Sequence, residues 1–213
     1  MIQANPVWVF IPLLLPGWVT ASEWVPAVED GGVRVEQRNY PGSALLEIRG
    51  STRIHASLSA VMALLKDAPF NRHWVYRSGG AKILQESGYQ QAYVYGVVDA
   101  PWPMRDRDTI VRFDYRQQID TAEITIEISN APDYLPRKRE LVRVPDFGGF
   151  WKLKPQGGGW VEVTYQVYGD PGGVIPAWLA NYAALRSVTK TLQNMSGVVA
   201  RYAGAHSPFV TEP

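Results

Sequence analysis

Residues 174–202 read VIPAWLANYAALRSVTKTLQNMSGVVARY, and the reading of this stretch decides the fold. Ile175, Trp178, Leu179, Tyr182, Leu185, Val188, Leu192, Met195 and Val199 recur at steps of three and four, which sets them on one stripe of an α-helix. Asp170-Pro171-Gly172-Gly173 breaks the chain just before it. A helix of about 28 residues at 1.5 Å per residue spans roughly 42 Å. Nearly everything upstream, from Val33 to Tyr168, reads as short strands. A sheet-rich body finished by one long apolar helix must lay that helix across the sheet. If the sheet curls round it, the space between them is a pocket for an apolar ligand.

The strand pattern is specific enough to order. Val33 and Val35 alternate with Arg34 and Glu36, Pro41-Gly42 turns the chain, and Ala44 to Gly50 returns as a hairpin. Ser57 to Lys66 has helical spacing through Leu58, Val61, Met62 and Leu65, ended by Asp67-Ala68-Pro69. Trp74–Arg77, Lys82–Glu86, Gln90–Val98 and Arg107–Gln117 read as strands. So do Ala122–Ser129, Leu141–Val144, Phe150–Leu153 and Trp160–Tyr168. Ile124, Ile126 and Ile128 alternate cleanly with Thr125 and Glu127. Short turns join successive strands, so the sheet is mainly antiparallel and the fold class is α+β. Which strand face lines the pocket depends on parity, and a single bulge near Gly148-Gly149 would invert it.

Composition bounds the function. The 213 residues, 46% of them apolar, are enough for one domain with a sizeable core. Eight Trp and eleven Tyr suit either a core or a wide apolar pocket. A net charge of +1 argues against a general affinity for nucleic acid. The absence of cysteine rules out disulfides, thiolate catalysis and Cys-based metal sites. His55, His73 and His206 fall in no metal-binding or nucleophile–base pattern, so no catalytic residue, metal or cofactor is expected.

Val7 to Val19 is an apolar run too short for a confident membrane span, followed by Val19-Thr20-Ala21 before Ser22. This pattern is read as an export signal over residues 1–21 that lacks a basic n-region, which implies a periplasmic or secreted protein. The alternative is a membrane anchor. The ligand-binding domain then covers residues 22–205, and 206–213 form a flexible tail.

Two further constellations bear on a ligand. The loop Asp99 to Asp106 is stiffened by Pro101 and Pro103 and carries Trp102 and Met104, read as a lid over the pocket mouth against the start of the terminal helix. Arg107 and Asp108, adjacent on a strand, point to opposite faces and do not pair with each other. Arg107 either pairs with a carboxylate from another strand or meets a ligand's head group.

With those residues in view, the chain resembles the START family of lipid-transfer domains, within the wider helix-grip class. The resemblance rests on Trp24 with Gly32-Val33-Arg34-Val35, Trp74, Pro101-Trp102-Pro103 running into Arg107-Asp108, and Arg143-Val144-Pro145. It continues through Gly149-Phe150-Trp151, Val163-Thr164-Tyr165-Gln166 and Asp170-Pro171-Gly172-Gly173 before Ile175-Pro176, covering about Ser22 to Ala203. It implies a monomer whose curved antiparallel sheet grips a long C-terminal helix and encloses one sterol, phospholipid or sphingolipid, released by transient contact with a membrane. Expected ligand-binding residues are Trp102, Met104, Arg107, Phe113, Ile175, Trp178, Leu179, Tyr182, Leu185, Leu192 and Met195. Sterol-binding members tend to carry a second inward Arg on the strand after the Arg-Asp pair. Here that position holds Phe113, and Arg112 is one step off, on the other face. The rival readings are a polyketide cyclase or aromatase on the same scaffold, with Tyr93, Tyr95 or Asp108 as acid or base, and an interaction module with a filled core.

Overall fold

The computed structural model describes residues 22–213. The export-signal reading of residues 1–21 lies outside the described residues. Strands β1 (Val25–Asp30), β2 (Val33–Asn39) and β3 (Leu46–His55) precede helix α1 (Leu58–Lys66) and a 3-10 turn at Ala68–His73. Then come β4 (Ser78–Ser87), β5 (Gln91–Val98), β6 (Arg107–Gln117), β7 (Ile124–Asn130), β8 (Val142–Arg143), β9 (Asp146–Gly157) and β10 (Trp160–Asp170). Helix α2 (Ala177–Val198) follows, continued by a 3-10 turn at Val199–Tyr202. Among the described residues the strands make one sheet, in the order β1-β2-β3-β10-β9-β7-β6-β5-β4. Every pairing on this path is antiparallel; the two-residue β8 lies parallel to the start of β6. The last strand thus sits beside the first hairpin, and α1 carries the chain from the middle of the sheet to its far edge. This is the curved antiparallel sheet with a long C-terminal helix expected of a helix-grip fold.

Alternation explains most of it. Ile124, Ile126 and Ile128 of β7 are buried, as are Val33 and Val35 of β2 and Val161, Val163 and Val167 of β10. The register of β9 with β10 runs unbroken through Gly148 and Gly149, so no bulge inverts the parity there. Two local readings change. Trp74–Arg77, read as a strand, follows the 3-10 turn instead, with Trp74 buried among the core residues and Arg77 at a positive φ. Strand β1 carried no alternation signal because it is an outer edge strand with little buried surface.

The core gathers under the C-terminal half of α2. Val188, Leu192 and Met195 are almost wholly buried there, on β2, β3 and β10. Gly50 of β3 makes this approach possible: a Cβ on it would sit 2.5 Å from Leu192 and 2.6 Å from Val188. Toward its N-terminus α2 is held only lightly. Asn181 accepts from the Leu46 N–H (2.9 Å) and donates to the Ala44 carbonyl (3.1 Å), while Trp178 and Tyr182 stand exposed. The helix is clamped at one end and lifted at the other.

The C-terminal segment, read as a flexible tail, is docked. The Gln117 side chain donates to the Thr211 carbonyl and accepts from its N–H, and Phe209 stacks on Tyr89. The Glu212 carboxylate accepts from the backbone N–H groups of Leu58 (3.0 Å) and Ser59 (2.8 Å), beside the Ser57 cap of α1. These are among the free donors at a helix start, and a negative charge there also opposes the helix dipole. Glu212→Ala is expected to lower stability by about 1 kcal/mol. Urea denaturation checks this; an unchanged midpoint would mean that the tail contributes nothing.

Candidate functional site

Under the lifted half of α2 lies a cavity of about 760 Å³. Its sheet wall is read off the inward parity of each strand: Ala92, Val94 and Gly96 of β5, Val111 and Phe113 of β6, Ile126 and Ile128 of β7. Trp151 of β9 and Tyr165 of β10 stack at 3.8 Å with Trp74 beside them, and these rings floor the hollow without filling it. Burial drives the Tyr165 phenol well above its ordinary pKa, as it does Tyr115, where Glu86 adds to the effect. Both phenols stay neutral across the physiological range. Trp74 Nε1 and Asn71 Oδ1 lack partners, but both atoms are enclosed by protein, so neither is offered to a ligand.

The helix wall is not the apolar stripe. Ile175, Leu179 and Tyr182 line the cavity, joined by Ala180, Ala183, Ala184, Ser187 and Thr191. Leu179, Ala183, Ser187 and Thr191 lie at successive steps of four, one face of the helix. Small side chains on that face keep the space open; the large ones of the neighbouring stripe close the core. The expected positions divide accordingly. Met104, Arg107, Phe113, Ile175, Leu179 and Tyr182 line the cavity. Leu192 and Met195 do not: they are fully buried in the core where α2 meets β3. Leu185 packs partly buried against the same core. Trp178 points outward, 71% exposed, because the helix is rotated so that Leu179, one residue on, faces the hollow. Trp102 is 93% exposed at the tip of the 99–106 loop, whose Pro101 and Met104 form part of the rim. The run of small residues in α2 was the sequence signal for the lining that went unread.

Arg107 and Asp108 separate as strand parity requires. Asp108 lies on the outer face of the sheet. Arg143 of β8 reaches it with Nε at 3.0 Å and Nη2 at 2.8 Å, both side chains 1% exposed. Arg143 also donates to the carbonyls of Pro132 and Leu135, which ties the 131–143 segment to the sheet. The hydrogen bond to Asp108 raises the Arg143 pKa. Arg107 faces the cavity, buried, with no carboxylate partner among the described residues. Its one side-chain hydrogen bond among the described residues goes to the Arg105 carbonyl. Desolvation, with help from the Arg105 charge, lowers its pKa.

No family model matches the chain. A crystal structure of a StAR-related lipid transfer protein from Xanthomonas axonopodis superposes with a TM-score of 0.77, at 34% identity, over 83% of this chain and 98% of that one. The chain belongs to the START family. The phosphatidylcholine transfer protein of mouse is 23% identical over 83% of this START domain and 84% of its own length. An aromatase/cyclase from a Streptomyces species shares the fold alone, at 13% identity and a TM-score of 0.51, over 74% of this chain and 93% of that one.

Within this START domain, the strand position that a second inward arginine would take is held by Phe113, which lines the cavity. Arg112 turns outward and binds Asp114 at 2.8 Å. The three groups considered as acids or bases are also outside. Tyr93 stacks on Tyr134, Tyr95 lies beneath Lys138, and Asp108 is bound to Arg143. None of the three lines the cavity.

Proposed function

We propose that this START domain takes up one lipid in the cavity between its sheet and α2, as a monomer, and carries or presents it at a membrane. The observation that carries the reading is the unfilled hollow of about 760 Å³. It remains open after Trp74, Trp151 and Tyr165 have packed, and it falls within the ~300–1,000 Å³ of ordinary small-molecule sites. At roughly 0.8 kcal/mol per buried methylene, a long alkyl chain leaves a bilayer only for a site that hides it equally well. Val94, Val111, Ile126 and Ile128 on the sheet and Leu179 on the helix supply that apolar cover. A cyclase would need acid and base groups converging on the substrate, and Tyr93, Tyr95 and Asp108 face away. Native mass spectrometry of the protein soaked in a total lipid extract tests the reading. An intact lipid at one per protein supports carriage, a converted product points to catalysis, and an empty protein removes the proposal.

The exposed apolar residues at the mouth set the exchange step. Trp102, Val174 and Trp178 stand out beside the rim formed by Met104, Ile175 and Leu179. An amphipathic indole lowers its free energy at a membrane interface. Trp102→Ala is expected to slow transfer between vesicles about ten-fold while leaving binding in solution unchanged. Equal transfer rates would remove the loop from the exchange step. The apolar run Val7–Val19 supports a further proposal, that residues 1–21 are an export signal and the protein acts outside the cytoplasm, with a membrane anchor as the alternative. Amino-terminal sequencing of the mature chain, expected to begin near Ser22, checks it.

A further inference from the structure

We infer that the cavity is built for an amphiphile with an anionic head group, its carboxylate or phosphate on Arg107 and its tail running toward Tyr115. This rests on the lipid-carrier reading and narrows it. The placement of charge along the cavity carries it.

Arg107 and Tyr115 both line the cavity from β6, eight residues apart, about 26 Å at ~3.3 Å per residue. Val111 and Phe113 line the wall between them, so an alkyl tail extended from Arg107 lies in apolar surroundings.

Charge gives the site a direction. At the Arg107 end the register runs Ser78 to Val98 to Arg107 across β4, β5 and β6, so Arg77 stands about 10 Å from Arg107. Arg186 of α2 donates to the Tyr182 hydroxyl at 2.9 Å and lies over the Tyr76 ring. Arg77, Arg107 and Arg186 all line the cavity, Arg107 buried and the other two exposed at the rim, and none is in an ion pair among the described residues. The carboxylates at this end are exposed at the rim or engaged with backbone. Asp99 and Asp170 are exposed, and Asp170 accepts from Gly172. Asp106, next to Arg107, accepts from the Ala100 N–H. At the other end the one lining cation, Lys66, is matched by Glu86 at 3.6 Å. A buried guanidinium has five N–H donors and demands acceptors; here only the Arg105 carbonyl supplies one. An anionic head group fills the remainder, bidentate on the planar fork.

The test uses delipidated full-length protein and four probes: palmitate, 1-palmitoyl lysophosphatidic acid, hexadecanol and dipalmitoyl phosphatidylcholine. Displacement of a fluorescent fatty-chain reporter gives affinities, and native mass spectrometry gives stoichiometry. One or both single-chain anions are expected at one per protein, at least about ten-fold tighter than hexadecanol, and whichever binds better identifies the head group. Arg107→Met should abolish that preference, and Arg107→Lys should keep part of it. Should the Met variant fail to fold, the wild-type comparison of palmitate with hexadecanol still decides. Equal affinity for palmitate and hexadecanol overturns the anion site. Phosphatidylcholine bound one-to-one while palmitate binds no better than hexadecanol overturns the anion site and leaves lipid carriage intact. Failure of all four probes to bind overturns the anion site, and the total-extract measurement then decides lipid carriage.

Discussion

Asp108→Ala is expected to destabilise the protein by roughly 3–5 kcal/mol, a large share of a typical domain's stability. The Asp108 and Arg143 side chains are each 1% exposed and joined by two hydrogen bonds. Removing the carboxylate strands a guanidinium with no solvent to replace it. The loss spreads, because Arg143 also holds the carbonyls of Pro132 and Leu135, and the 131–143 segment crosses the sheet with only β8 to pair it. The informative comparison is with the double variant Asp108→Ala, Arg143→Met. With neither charge left behind, it should recover part of the lost stability, so the two changes are not additive. Chemical denaturation of the wild type, both single variants and the double variant measures the coupling. If Asp108→Ala unfolds within about 1 kcal/mol of wild type, the pair is not the anchor described here.

Gly50→Val is expected to cost about 3 kcal/mol and to change the cavity as well as the stability. A Cβ at this position meets Leu192 at 2.5 Å and Val188 at 2.6 Å, so even alanine requires α2 to move, and valine adds two more carbons to a filled space. Gly50 lies opposite Val35 of β2 and Tyr165 of β10, in the part of the sheet where the helix is clamped. Prising the helix off there tilts it about its Asn181 tether and opens the floor beside Tyr165. The variant should therefore lose thermal stability and bind an apolar fluorescent probe less tightly. A Gly50→Val protein with an unchanged melting temperature would show that α2 does not bear on the sheet at this point.

The alternation of Ile124, Ile126 and Ile128, the hairpin of β2 and β3 and the stripe ending at Val199 were enough to read the architecture, because burial of one face is imposed residue by residue along the chain. The site was less legible. Met104, Arg107, Phe113, Ile175, Leu179 and Tyr182 line the cavity, whereas Trp102, Trp178, Leu185, Leu192 and Met195 stand outside it. The division has one cause. Hydrophobicity marks where a side chain leaves water, and a core and a lipid site ask for the same thing. Ala183, Ser187 and Thr191 face the hollow and are too small to fill it; their step of four is a weaker signal than the apolar stripe beside it.

What the chain determined unaided was the alternation that makes the strands, the presence of a long helix to cover them and the opposite facing of Arg107 and Asp108. All three follow from periods of 2 and 3.6 residues, which are local properties of the backbone. The folded structure decided where the helix presses and where it lifts, through Gly50 at one end and Asn181 at the other. It also decided which arginine is left without a carboxylate, by sending Arg143 from 35 residues away to Asp108. Contacts between distant segments carry no period along the sequence, so only the three-dimensional arrangement could assign Arg107 to the cavity with its charge unmatched.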